Sequence, residues 1–316
     1  MNYNYLDIFP NLFFNIETNE YAKQLVQQVN ELFSDVIIKF GELENEISMG
    51  ISKQDDFIDG VICSFIRKII EQLDAINVLY SVGSFTTSQI ILRTLIENII
   101  SLKFILQEEK EIPTRAAAYF LEYYFQEIEL GDSSITDGTE LNTILKHQGK
   151  EQLKKYSNEL DKKKEALKKI INKNPLFQKI DRERQNKINN KNNKKVYIEW
   201  YQVCSNVSNF RGLMKETGYE KYYQGLYGIA SREAHSLNSA NGIIVKKNGF
   251  FLKKIRNMEN GAATVSLACT FSFELLKDLY KYVDRENYNE LEFAEFYKKF
   301  NEKQKNIEQA LKNFNI

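Results

Sequence analysis

Histidine is almost absent from this 316-residue chain: there are two, His147 and His235. A metal site built mainly from imidazoles is excluded on that count, and nothing else in the sequence calls for a metal or a cofactor. Cysteine is scarce as well. Cys63, Cys204 and Cys269 are odd in number and far apart. That excludes a disulfide framework or a zinc finger and fits a reducing cytoplasm. Only three prolines and 14 glycines punctuate the chain. Strands joined by tight turns need more of both, so long helices are expected. No uninterrupted apolar run reaches membrane-spanning length. The most apolar stretch, QIILRTLIENIISLKFIL, carries Arg93, Glu97 and Lys103. The first residues, MNYNYLDIFPNLFFNIE, lack a basic region followed by an apolar run, so no signal peptide is expected there.

Apolar residues make up 43% of the chain, enough for a sizeable core. Net charge is zero but uneven. Residues 146–195 hold 17 Lys and Arg against 6 Asp and Glu. This basic segment is the one charge feature that hints at a nucleic-acid partner, and a solvated helix face is the simpler explanation.

Periodicity predicts the elements. Leu25, Val29, Leu32, Val36 and Phe40 recur at helical steps, as do Phe57, Val61, Phe65, Ile69, Leu73 and Ile76. Asp55 and Asp56 resemble a helix start, and Ser84 is a candidate cap for a helix running to about residue 107. Pro113 suits a first helical turn, and Gly131 is expected to end that helix before a loop, GDSSITDGTE. A long polar helix with a thin stripe of Leu153, Tyr156, Leu160, Leu167 and Ile170 follows, broken at Pro175. Helices are expected over 219–238, 259–283 and 287–314. Between the first two, apolar runs flank Asn248-Gly249, a strong hairpin signal. The expectation is an all-α fold: a multi-helix bundle with one small β-hairpin near 243–255. It is read as a single helical domain over 1–316, with a core of about 19–131 and 196–314. A basic helical insertion at 138–195 protrudes from it.

Two polar stripes stand out. Arg93, Glu97 and Ser101 lie four apart on a helix that is apolar nearly all round, with Thr94 and Asn98 beside them. A buried charge is costly unless paired, so the stripe is an internal Arg93–Glu97 ion pair, a stripe facing solvent, or the lining of a polar cleft. In the segment YGIASREAHS, Tyr227, Ser231 and His235 also lie four apart, with Arg232 near the same edge. Histidine can exchange a proton near neutral pH, and arginine can neutralise a phosphate. The alternative is a packed histidine bonded to Ser231 or to a carbonyl. His147, in a lysine-rich helix, is given no role.

The segments ILRTLIENIISLKFIL, RAAAYFLEYY and LYGIASREAHS, then a hairpin and a long helix, resemble a bacterial family of helical proteins of unknown function. Its members carry R-x-x-x-E on one helix and S-x-x-x-H on a later one. Here those positions are Arg93 with Glu97 and Ser231 with His235. The likeness covers roughly 55–130 and 200–285. It extends distantly to the HEPN superfamily, helical domains found in toxin–antitoxin and anti-phage systems, many of them metal-independent ribonucleases. That resemblance implies His235, Arg93 and Glu97 as catalytic residues. Ser231, Arg232, Tyr227 and Asn98 would bind an RNA or nucleotide. The HEPN motif places an arginine and a histidine on one helix with a longer spacer than the two residues between Arg232 and His235. Arg93 would have to meet His235 across a helix interface. The competing expectation is a non-catalytic module that binds a ligand or a protein partner. In either case a homo-oligomer away from any membrane is expected.

Overall fold

The computed structural model describes residues 12–13, 15–50, 57–135, 139–189, 198–227, 240, 242–256, 261–283 and 290–313. It is an all-α bundle with one two-stranded antiparallel sheet. Packing divides the chain into two compact units: residues 1–107 with 214–316, and residues 108–213.

In the first unit, α1 (Glu20–Gly50) starts where the Asn19 side chain accepts the Ala22 amide at 3.0 Å. Its buried face runs Leu25, Val29, Leu32, Val36, Phe40, Leu43, Ile47, the predicted spacing continued. α2 (Phe57–Ser81) buries Val61, Phe65, Ile69, Leu73, Ile76 and Tyr80 against it. The expected start at Asp55 and Asp56 lies outside the described residues. α2 ends in a Schellman turn: the Gly83 amide bonds the Tyr80 carbonyl at 3.0 Å, and the Ser84 amide the Leu79 carbonyl at 2.8 Å. Gly83 sits at φ +76°, where other residues are strained, and a Cβ there would press on Ile16 at 3.0 Å. α3 (Phe85–Leu106) follows at once. Ser84 occupies its N-cap position but makes no side-chain cap hydrogen bond, so its predicted role reduces to the turn geometry.

The second unit is built around α4 (Ile112–Ile135). Gly131 does not end this helix, contrary to expectation. It is buried within it, where a Cβ would sit 2.6 Å from Leu160 Cδ1. Gly131 lets α6 come close, and the chain turns away only after Ile135. α5 (Glu140–Gln148), α6 (Lys150–Lys173), α7 (Pro175–Asn189) and α8 (Trp200–Cys204) all pack on α4. Of the thin stripe expected on α6, Leu160 and Leu167 are buried, Leu153 and Tyr156 are half-buried and Ile170 is exposed, and Pro175 opens α7 after the break. Arg184 on α7 is the central polar anchor. It bonds Glu122 at 2.7 Å and Glu129 at 2.8 Å and lies over the Phe125 ring at 4.3 Å.

α9 (Phe210–Glu216) spans the sequence boundary between the units. A turn of helix at Glu220–Tyr222 then passes into a π-helical turn, Tyr223–Tyr227. The helix expected to continue to residue 238 lies outside the described residues. The hairpin is β1 (Ile243–Lys246) and β2 (Gly249–Leu252), with Lys246 paired to Gly249. The two-residue loop is therefore Lys247-Asn248, one position earlier than Asn248-Gly249. α10 (Gly261–Val283) packs on α3 and α1, and α11 (Glu290–Lys312) on α10 and α1. The Tyr80 hydroxyl, fully buried, donates to the Gly261 carbonyl and ties α2 to the start of α10.

Glu122→Ala should cost about 3 kcal/mol by urea unfolding, because it strands most of the buried Arg184 charge. Glu122→Leu combined with Arg184→Met should recover most of that loss. A double variant no more stable than Glu122→Ala would show that the pair is not what that site depends on.

Candidate functional site

α3 places the predicted polar stripe beside α2. The Gln72 amide on α2 donates to Thr94 Oγ1 at 3.0 Å, and Asn98 Nδ2 donates to Gln72 Oε1 at 3.0 Å. Gln72 is only 7% exposed, so one almost buried amide clasps two residues of α3. Asn98, expected to bind a ligand, is a structural donor in this seam.

Arg93 Nε meets Glu97 Oε1 at 3.2 Å, the ion pair that the four-residue spacing allows. The two side chains keep 25% and 34% of their exposure. The pair is neither sealed in the core nor fully solvated. Thr94 shares the stripe and returns its own hydroxyl proton to the Ile91 carbonyl at 2.9 Å.

Tyr227 closes the π-helical turn. Ser231, Arg232 and His235 lie outside the described residues, and so does any contact between His235 and Arg93. The Tyr219 and Tyr222 rings pack on Phe271 of α10 at 5.1 and 5.4 Å. A π-helical turn gains poorer hydrogen bonding than an α-helical one and is often met at functional sites.

A polar cluster that the sequence reading passed over lies nearby on α3 and α10. Lys103 is 8% exposed. Its ammonium meets Asp278 Oδ2 at 2.5 Å and the Glu274 carbonyl at 3.0 Å, and lies 5.4 Å from the centre of the Tyr219 ring. Burial, then the Glu274 carboxylate, push the Tyr219 phenol well above its usual range. The sequence signal was a lysine inside an apolar run, with Glu274 and Asp278 four apart on a later helix. This arrangement is a buried ion pair that packs on Tyr219, four residues before the π-helical turn begins.

The thiols are poor nucleophiles. Burial pushes Cys63 up to about 11, helped by the Glu44 and Asp59 carboxylates. Cys204 also rises to about 11 through burial, and fully buried Cys269 rises further. Among the described residues no three of His, Cys, Asp and Glu gather as a metal site, and no helix is long and apolar enough to cross a membrane.

A family model for proteins of unknown function, DUF5677, matches residues 59–251. The chain belongs to this family. No curated protein and no solved structure matches it. The DUF5677 match runs from the first turn of α2 to β2. It takes in the Arg93–Glu97 stripe, the whole second unit and the Ser231–His235 segment. α1, α10 and α11 lie outside it, yet α1 and α10 supply much of the packing around the DUF5677 helices α2 and α3.

Arg93→Ala should lower stability by roughly 0.5 kcal/mol or less, as expected for a half-exposed pair four residues apart. Asp278→Ala should cost about 3 kcal/mol, because it strands a nearly buried lysine. Equal losses in a thermal or urea melt would contradict this ranking. In the native protein, thiol alkylation at neutral pH should be slow and should accelerate on unfolding. The raised thiol pKa values favour the protonated folded form, so their contribution is complete below about pH 8.5, the ordinary thiol value. It is lost as pH climbs toward 11, and a joint Cys63→Ala and Cys204→Ala variant should flatten that decline.

Proposed function

We propose that the chain is a HEPN-like protein acting on RNA in the cytoplasm, a metal-independent ribonuclease or toxin-like effector of the anti-phage type. The observation that carries this reading is Arg93. It is a charge on the partly exposed edge of α3, beside exposed Ile90 and Thr94, oriented by Glu97 and itself a quarter exposed. On that edge the guanidinium stays within reach of a phosphate from solvent. In this reading His235 moves the proton as the ribose 2′-hydroxyl attacks the adjacent phosphorus and the 5′-oxygen departs, leaving a cyclic phosphate. Arg93, with Arg232, offsets the charge gathering on the phosphoryl oxygens, and Glu97 orients Arg93. Ser231 and Tyr227 bind beside them. The basic segment 146–195 draws the polyanion in; Lys154, Lys155, Lys162 and Lys163 on α6 are exposed.

A second reading, a non-catalytic module that binds a ligand or a protein partner and self-associates, has its own support. Thr94 and Asn98 are engaged with Gln72, and Arg93 is closed on Glu97, so each has a structural partner already. The test is cleavage of pooled cellular RNA by purified protein across a range of salt and divalent cations. The first reading expects cleavage that His235→Ala abolishes and Arg93→Ala reduces at least tenfold, each with little change in melting temperature. Intact RNA with wild-type protein, or a His235→Ala variant that melts early and cuts normally, would sink it and favour the second.

A further inference from the structure

The hairpin exposes the densest group of apolar side chains among the described residues. Ile243 pairs with Leu252 and Val245 with Phe250. Side chains of directly opposed residues share a face, and the two pairs are two residues apart on each strand, so all four lie on one side. Their exposures are 47%, 80%, 71% and 80% in that order. On the opposite face Ile244 is half-buried, Phe251 is 46% exposed, and the Lys246 ammonium lies 5.6 Å from the centre of the Phe251 ring. The base is held by the Lys253 amide on the Gly242 carbonyl and the Ile255 amide on the Leu12 carbonyl, both at 2.8 Å. A rooted hairpin showing a bulky apolar face to water marks an interaction site rather than a folding remnant.

Charge selects the occupant. Residues 243–256 contain five cations, Lys246, Lys247, Lys253, Lys254 and Arg256, and no acid. The rest of the same unit carries 18 Lys and Arg against 27 Asp and Glu. A second hairpin on this face would bring five like charges against five. A bilayer would be entered turn first, and the turn is Lys247 and Asn248, both exposed and polar. Single-stranded RNA stacks on flat π faces, whereas three of the four side chains are aliphatic. We infer that the Ile243–Val245–Phe250–Leu252 face docks an acidic amphipathic segment of a partner protein. That segment places two or more large apolar side chains on the face and Asp or Glu toward the lysines at its ends. The outer edge of β1 carries no neighbouring strand among the described residues, so an extended segment also gains main-chain hydrogen bonds there. This docking does not depend on whether His235 is catalytic.

The test is selection of random displayed peptides on the full-length protein, followed by fluorescence anisotropy with the enriched peptides. The expected peptides combine net negative charge with at least two large apolar residues. Phe250→Ser with Leu252→Ser should weaken them by about tenfold or more, the scale of losing one interface anchor. Lys247→Glu, at the turn end of the face, should also weaken them, and added salt should do so progressively. Both variants should keep the wild-type melting temperature, since these side chains are exposed. Peptides without acidic enrichment, or binding indifferent to both variants, would overturn the inference. So would binding of oligouridine or phosphatidylserine vesicles, or self-association in solution, that these variants abolish while no acidic peptide is enriched.

Discussion

The burial of α3 is the constraint on which the first unit depends. Between Phe85 and Leu106 it buries most of its apolar side chains and leaves to water only the edge that carries Thr87, Ile90 and Thr94. It needs α2 against one flank and α10 against another, and α1 and α11 then enclose those helices. Several polar groups on α3 are matched as a result, although the Oε1 of Gln89, 4% exposed, has no hydrogen-bond partner among the described residues. Thr94 and Asn98 share Gln72, Arg93 takes Glu97, and Lys103 takes Asp278 and the Glu274 carbonyl. Lys103 sits in the more buried part of the helix and needs partners from another helix. Arg93 needs only a neighbour one turn on, because water still reaches it.

The same rule governs the second unit at a smaller scale. α6 is mostly polar and contributes few core residues, so α4 must serve as the shared wall for the helices that follow it. Arg184 and Glu122 are the cost and the orientation of that arrangement. Their pairing holds α7 to α4 in one register, with Phe125 as the apolar floor. The family match includes this unit entire but stops short of α10. α10 nevertheless completes the surroundings of α3, so the match does not mark out a bundle that could exclude it.

Much of the helical order was legible because period and punctuation agreed. α1, α2 and α3 follow uninterrupted apolar spacings, and the Pro175 break separates α6 from α7 as expected. Gly131 misled because glycine has two uses. It can stop a helix by adopting positive φ, or it can stay helical and admit a neighbour. Only Leu160, distant in sequence, decides between them. The hairpin turn shifted by one residue because Gly249 was usable either in the loop or as the first residue of β2. At the candidate site, the Arg93–Glu97 pairing was legible from spacing within one helix. The Gln72 clasp and the Lys103–Asp278 pair were not, since each joins helices far apart along the chain.

By itself the sequence determined the class of the molecule: long helices from sparse proline and glycine, a central helix from all-round apolarity, one hairpin from its turn, and a reactive inventory of two histidines and three thiols. These are properties of local spacing and residue count, and no fold can change them. Tertiary structure decided which polar groups are already satisfied, because hydrogen-bond partners come from other helices. It also decided that the thiols are held protonated by burial, that α4 is grouped with the following helices, and that one face of the hairpin is left to water. Exposure depends on everything packed around a residue, so two apolar strands of similar sequence can be core in one fold and a docking face in another.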